Sequence, residues 1–424
     1  MRIYNLFPLL VGPFKDWKPH LVRAAEMGFD WVFVNPIQRL GSSGSLYSIA
    51  DYFAINPVFA SGDKPVEAQI RAMVEEAETH GLHMMIDLVI NHCAYDSKLL
   101  KEHPEWFVKE NGRIANPFCV HDNQKVVWND LAQFDHHHSS DAEGLYSYCR
   151  DIVAYLMKLG FKGFRCDAAY QIPSGFWKRL IGEVKNLQPD AVFVAETLGC
   201  APDQTRQTAQ AGFDAVFNSS KWWDFESPWL MEQYQLTRAD APSISFAESH
   251  DTPRLLEEFQ GNLDAVKQRY LFSALFSTGV MMPMGFEFGF RKPLHVVHTR
   301  PTDWEETDID LTAYIREVNL IKSHYRVFQE ESVTEVWPCS NPALLLMWKA
   351  SVRDNSQALI ILNKDVWNRQ QCQIDNLHHY VQHAPLLKDV SPQWPMEFLP
   401  APFHYELLPG MARVFVTGPR VSEV

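Results

Sequence analysis

Short apolar runs alternate with amphipathic stretches about eight times over roughly the first 290 residues, and that alternation is the signature of βα units around a parallel sheet. The strand candidates are Ile3 to Phe7, Trp31 to Asn35, Met84 to Ile90, Gly163 to Asp167, Val192 to Glu196, Ala215 to Asn218, Ile244 to Ala247 and Val280 to Met284. Between the second and third, VEAQIRAMVEEAETH (Val66 to His80) places Ile70, Met73, Val74 and Ala77 on one helical face, and Gly81 caps its end. No G-x-G-x-x-G or G-x-x-x-x-G-K-[ST] follows a strand, so a doubly wound nucleotide-binding sheet is disfavoured. The expected fold is α/β, a closed (β/α)8 TIM barrel, whose reactive groups gather at the C-terminal ends of the strands.

Two segments interrupt the rhythm. Residues 93–140 follow the third strand as a long polar and aromatic excursion. Its His136, His137 and His138 invite a metal reading, but adjacent side chains diverge and no second ligand cluster is evident, so a solvated turn is preferred. After Gln329 come VTEVWP, ALLLMWKAS, QALIILNKD, QCQI, PMEFL and ARVFVTG, which read as the strands of an antiparallel β-sandwich domain. The expected organisation is a barrel of residues 1–92 and 141–329, an excursion over 93–140 and an all-β domain over 330–424.

A chain of 424 residues exceeds the roughly 250 to 300 at which a single core stops growing, in keeping with a large domain and a small one. The formal net charge is −14 and no basic block offsets it, which disfavours nucleic acid as a partner and leaves a neutral polymer unaffected. No apolar run reaches the roughly 20 residues of a membrane span. The seven cysteines lack C-x-x-C spacing, so reduced thiols are the simpler reading. The N-terminus shows no secretory leader pattern, which suggests a cytoplasmic protein. Oligomeric state is not encoded in any of these features.

Three carboxylates stand at strand ends in a fixed order: Asp167 in GFRCD, Glu196 in FVAET and Asp251 in FAESHD. Any one of them is more readily a surface acid or an ion-pair partner than a catalyst. Together they match glycosyl transfer, in which one carboxyl protonates the leaving oxygen and another attacks the anomeric carbon or activates water. Arg165 lies two residues before Asp167, so on a strand both side chains face the same way and the cation favours an ionised neighbour. His250 stands beside Asp251.

With DLVINH (Asp87 to His92), GFRCD, the Glu196 segment and ESHD (Glu248 to Asp251), the chain resembles the α-amylase superfamily of glycoside hydrolases at its four signature regions, in the right order. The resemblance implies Asp167 as nucleophile, Glu196 as general acid/base and Asp251 as stabiliser of sugar hydroxyls. It places His92 and His250 at the cleaved sugar and gives Asp87 a buttressing role; Arg165, beside the nucleophile, is counted among the substrate-binding residues. In SLYSIADY it implies that Tyr47 stacks under that sugar while Asp51 and Tyr52 support the loop. No cofactor is required on this reading. In many relatives the residue matching Asn91 helps bind calcium, so Asn91 is where that ion would enter.

HPEWF and the Pro173 to Trp177 segment resemble the branch of maltosyltransferases that use maltose 1-phosphate. That branch carries Asn directly after the nucleophile, whereas this chain has Ala168, which lacks a side-chain donor for phosphate. The preferred expectation is therefore a retaining α-glycosidase acting on α-glucans or maltooligosaccharides by hydrolysis, with transglycosylation a further outcome. A phosphosugar-dependent maltosyltransferase and a non-catalytic glucan-binding protein are the alternatives. Lys221, Trp222 and Trp223 are candidates for an acceptor surface, although a Trp pair is more often core.

Overall fold

The computed structural model describes residues 1–121, 124–381 and 386–421. Eight parallel strands close into a barrel: β1 (Arg2–Leu6), β2 (Trp31–Val34), β3 (His83–Leu88), β4 (Gly163–Cys166), β5 (Val192–Ala195), β6 (Ala215–Phe217), β7 (Ser243–Phe246) and β8 (Gly279–Pro283), in sequence order around the ring. Each strand is followed by a helix: α1 (Lys18–Glu26), α2 (Val66–Thr79), α3 (Ala142–Lys158), α4 (Ser174–Leu187), α5 (Pro202–Ala209), α6 (Trp229–Thr237), α7 (Leu263–Phe276) and α8 (Thr312–His324). All eight expected strands are present, with ends within two residues of the sequence reading. Most candidates run one or two residues past the strand at their C-terminal ends, where the Asp167, Glu196 and Asn218 amides still donate to Leu88, Cys166 and Ile244 of the neighbouring strands.

Local sequence explains the helices. α2 buries Ile70, Met73, Val74 and Ala77, the face expected from a 3.6-residue period. It ends in a Schellman motif: the Leu82 amide donates to Ala77 and the Gly81 amide to Glu78, with Gly81 at φ 74°. α3 buries Leu145, Tyr146, Cys149, Ile152, Val153 and Leu156 as one stripe, and Asp141 caps its start by accepting the Gly144 amide.

Residue contacts divide the chain into two compact units. The first comprises Ile3–Phe217 and Leu294–Trp304. Here the register matters for function: Arg165 on β4 lies directly across from Asp87 on β3 and from Val194 on β5, and Asn5 on β1 lies across from Phe33 on β2. The excursion after β3 is built from short antiparallel pairs, in which residues 92–94 pair with 131–133, 118–121 with 124–127, and 109–110 with 113–114.

The second unit comprises Met1–Arg2, Asn218–Pro293 and Glu305–Val424. Its C-terminal part holds a five-stranded antiparallel sheet of β9 (Val333–Trp337), β10 (Leu344–Ala350), β11 (Gln357–Asn363), β13 (Lys388–Asp389) and β15 (Ala412–Val416), and a two-stranded sheet of β12 (Gln370–Ile374) and β14 (Phe403–Leu407). Alternate residues of both sheets, among them Leu344, Leu346, Leu359, Ile361, Cys372, Ile374, Phe403 and Phe415, meet in one apolar core. PMEFL is not a strand. Met396 and Leu399 only pack against that core, and the segment runs between Pro395 and Pro400, which have no amide to give a ladder; strand pairing resumes at Phe403.

Cys93, Cys149, Cys166, Cys200, Cys339 and Cys372 carry free thiols, and the Cys119 side chain lies outside the described residues. No helix among the described residues is long and apolar enough to cross a membrane.

Gly163 opens β4 where neighbouring strands leave no room. A Cβ there would lie 2.6 Å from the Trp31 ring and 2.9 Å from Met85 Cβ. Gly163→Ala is expected to destabilise the protein by about 1 to 3 kcal/mol through overpacking, read as a lower urea midpoint with an unchanged slope.

Candidate active site

The site in the first unit is organised by Arg165, a guanidinium only 5% exposed. Cross-strand register puts it against Asp87, and strand periodicity puts it against Asp167, as the two-residue spacing predicts. Its Nη1 donates to Asp87 Oδ1 at 3.0 Å, to Asp87 Oδ2 at 3.1 Å and to Asp167 Oδ1 at 2.8 Å. A buried charge is tolerated only when paired in this way. Asp87 is fully buried and takes a further bond from the Tyr47 hydroxyl at 2.7 Å. Tyr47, named from the sequence as a sugar platform, is thus tied into the carboxylate network by its oxygen.

Directly after Asp167, Ala168 adopts the left-handed conformation (φ 41°, ψ 45°), which costs a non-glycine residue on the order of 1 to 3 kcal/mol. The turn aims its amide at Glu196 Oε2, 2.9 Å away, and the Leu198 amide reaches Glu196 Oε1 at 2.6 Å. Both oxygens of Glu196 are therefore oriented by main chain. Burial raises the Glu196 carboxyl to about 7; the Arg165 charge works against that rise, and the Asp167 charge adds to it. At neutral pH Glu196 is poised between acid and base while Asp167 lies in an ion pair.

His92 is buried and donates its Nε2–H to the Tyr47 carbonyl at 3.1 Å, which fixes the tautomer and leaves Nδ1 without a hydrogen-bond partner. Burial lowers its pKa, so the ring is neutral. The Tyr52 hydroxyl holds the His92 carbonyl at 2.7 Å, and Asp51 accepts the Phe53 amide at 3.0 Å. Asn91 Oδ1 is buried without a partner, one available oxygen of the six to eight that calcium takes.

The three consecutive histidines separate in role. His136 turns inward, donates to the Ile90 carbonyl at 2.6 Å and packs edge-on against Phe176, while His137 and His138 are exposed. Only the latter two fit the expected solvated turn. Among the described residues the ligand atoms that converge are those of His103, Glu105 and Asp141. That Asp141 carboxylate is already engaged by the Trp106 indole and the Gly144 amide.

In the second unit, Asp251 follows the C-terminal end of β7. Its Oδ2 lies 3.0 Å from His250 Nε2, and its side chain is 59% exposed. The loop is anchored by buried Glu248, which accepts from Arg254 Nη1 at 2.7 Å and from the Leu255 amide at 2.5 Å. Lys221 is buried and pairs with Glu258 at 2.6 Å. The adjacent tryptophans divide the two readings: Trp223 is core at 2% exposure, whereas Trp222 is 54% exposed with its ring edge-on to Phe246.

Asn5 and Asn35, both fully buried, were missed by sequence reasoning. Asn35 donates to the Tyr47 hydroxyl at 2.9 Å, and Asn5 donates to Asn35 at 2.9 Å. The available signal was a polar residue in or just after an otherwise apolar barrel strand, in IYNLF and FVNP.

The chain is similar to known proteins in sequence and in fold. Residues 1–111 match a family model described as glycogen debranching enzyme, glucanotransferase domain. An α-1,4-glucan:maltose-1-phosphate maltosyltransferase of Burkholderia pseudomallei is 26% identical over 378 residues, covering 86% of this chain and 33% of that protein. A cyclomaltodextrinase of Geobacillus thermopakistaniensis is 24% identical over 374 residues, covering 81% of this chain and 61% of that protein. The chain thus spans between a third and about three fifths of the length of these curated relatives. In fold it is similar to the crystal structure of an α-amylase from Lactobacillus plantarum, with a TM-score of 0.78, 19% identity and 98% of both chains covered.

The raised Glu196 pKa carries a stability consequence with a definite sign. A carboxyl at about 7 in the folded chain and near its ordinary value when unfolded loses stability as pH rises from about 4.5 through 7, by about 2 to 3 kcal/mol. Glu196→Gln removes that loss. The stability of the variant relative to the wild type is expected to improve between pH 4.5 and 8 in paired urea titrations, with the steepest change below pH 7.

Proposed function

We propose that this chain is a member of the α-amylase superfamily and a retaining enzyme of α-glucosidic bonds acting on α-glucans or maltooligosaccharides, with hydrolysis as its principal reaction. The observation that carries this reading is the pairing of two carboxyls in different environments through one turn: Asp167 ion-paired with Arg165, and Glu196 raised to about 7 and held by the Ala168 amide. Double displacement needs that pairing.

In the proposed sequence, Asp167 attacks the anomeric carbon as Glu196 gives its proton to the departing glycosidic oxygen, and a covalent β-glycosyl enzyme forms. Glu196, now ionised, takes a proton from water; the oxygen bonds to the anomeric carbon, and the ester to Asp167 breaks with net retention. An acceptor sugar hydroxyl in place of water gives transfer. In this scheme Tyr47 and His92 pack against the reacting sugar; in the second unit Asp251 has the role of gripping ring hydroxyls, and exposed Trp222 is a candidate acceptor-side surface.

Ala168 favours hydrolysis over phosphosugar use. Its amide is committed to Glu196 and its side chain is a methyl, so residue 168 presents no hydrogen-bond donor to a phosphate. The opposing reading, a maltosyl transferase fed by maltose 1-phosphate, is favoured by the names of several relatives, among them that of Burkholderia pseudomallei.

Incubation with maltoheptaose, followed by proton NMR, is expected to show α-configured reducing ends as the first products. Asp167→Ala is expected to lower kcat by at least about 10⁴-fold. Activity undiminished in that variant would remove Asp167 as nucleophile. The basic limb of the kcat/KM profile should fall near pH 7, from Glu196. Release of inorganic phosphate from maltose 1-phosphate with a maltooligosaccharide acceptor would move the assignment to the transferase.

A further inference from the structure

The hydrogen bonds that reach Asp87 begin two strands away, at Asn5 on β1, and their direction is determined at every link. The Phe33 carbonyl accepts only, so the group of Asn5 that faces it at 3.1 Å is its amide nitrogen. The same nitrogen donates to Asn35 Oδ1 at 2.9 Å, which turns the Asn35 amide nitrogen toward Tyr47. That nitrogen donates to the Tyr47 oxygen at 2.9 Å, so the single hydroxyl proton is left for Asp87 Oδ2 at 2.7 Å. Asp87 then meets Arg165, and Arg165 meets Asp167. One backbone carbonyl thus sets the polarity of a buried chain that runs from β1 through β2 and β3 to β4.

We infer that Asn35, oriented by Asn5, is a positioning residue for the nucleophile: it commits the Tyr47 hydroxyl proton to Asp87 and thereby fixes Asp87 and Arg165 against Asp167. The inference rests on the reading of Asp167 as nucleophile. A purely structural account of the two asparagines is less satisfactory, because Asn5 Oδ1 is buried with no hydrogen-bond partner. Two apolar residues would fill the same space without that cost. What the asparagines supply, and apolar residues do not, is a donor of fixed direction at the Tyr47 oxygen.

The isosteric change Asn35→Asp reverses that direction. An aspartate at 35 still accepts from Asn5, but it also accepts the Tyr47 proton, and one proton cannot serve two carboxylates. With maltoheptaose as substrate, kcat is expected to fall on the order of tenfold to a hundredfold with KM changed less than about threefold, and the acidic limb of kcat/KM to move to higher pH. The decisive measurement is a cycle with Tyr47→Phe, which keeps the ring and removes the oxygen. If Asn35 acts through that oxygen, adding Asn35→Asp to Tyr47→Phe changes kcat by less than about twofold. Additive losses, or a pH shift that persists without the hydroxyl, would mean that the new charge acts through space and would overturn the proposal, as would wild-type kinetics for Asn35→Asp. Should Asn35→Asp not fold by circular dichroism, Asn35→Leu serves in the same cycle; loss of fold in both would make the residue structural and overturn the proposal. An Asp167→Ala control separates the two claims. If that control is inactive and Asn35→Asp is unaffected, the positioning role alone fails; if that control is active, or the wild type does not turn over maltoheptaose, the underlying reading fails and takes this one with it.

Discussion

A single buried guanidinium holds the chemistry of this barrel together. Arg165 sits in an interior that does not tolerate an unpaired charge, and its two carboxylate partners come from different levels of organisation: Asp87 through the register of β3 against β4, and Asp167 through the alternation of side chains along β4 itself. Two anions around one cation leave an excess of negative charge, softened at Asp87 by the Tyr47 hydroxyl. Glu196 lies within reach of this balance. Its burial favours the protonated form, Arg165 opposes that preference, and Asp167 reinforces it. The raised pKa of Glu196 is therefore a property of the cluster and not of that residue alone.

The fold contributes places where main chain does the orienting. Parallel strands end together, and the peptide that leaves β4 and the peptide that leaves β5 each present an amide to Glu196. The excursion is tied to the same rim by similar means: the His136 ring takes the carbonyl of Ile90, and the Tyr52 hydroxyl takes that of His92. Side chains from the periphery thereby pin the backbone that carries the site.

Much of this was legible in the sequence because it depends on period. Eight apolar runs gave eight strands, the α2 face emerged as spaced, and Arg165 met Asp167 because a strand repeats every two residues. What escaped depends on partners remote in sequence. Asn5 and Asn35 are isolated polar residues whose meaning lies in facing each other across two strands. PMEFL has the composition of a strand and the prolines of a loop, and the prolines decided. Trp222 and Trp223 are adjacent in sequence and opposite in environment, a distinction that no local pattern encodes.

The strained turn at Ala168 has a consequence for how such a site changes over time. Everything that residue 168 is seen to do for Glu196 is done by its amide, and nothing by its methyl group. The left-handed conformation accepts Ala at some cost and accepts Asn more readily. The position is thus an exchangeable slot beside the proposed nucleophile, because the hold on the neighbouring acid is made by main chain whatever the side chain. On the proposed reading, selectivity toward what leaves or enters the site is separable, at this one residue, from the pair of acids that would break the bond.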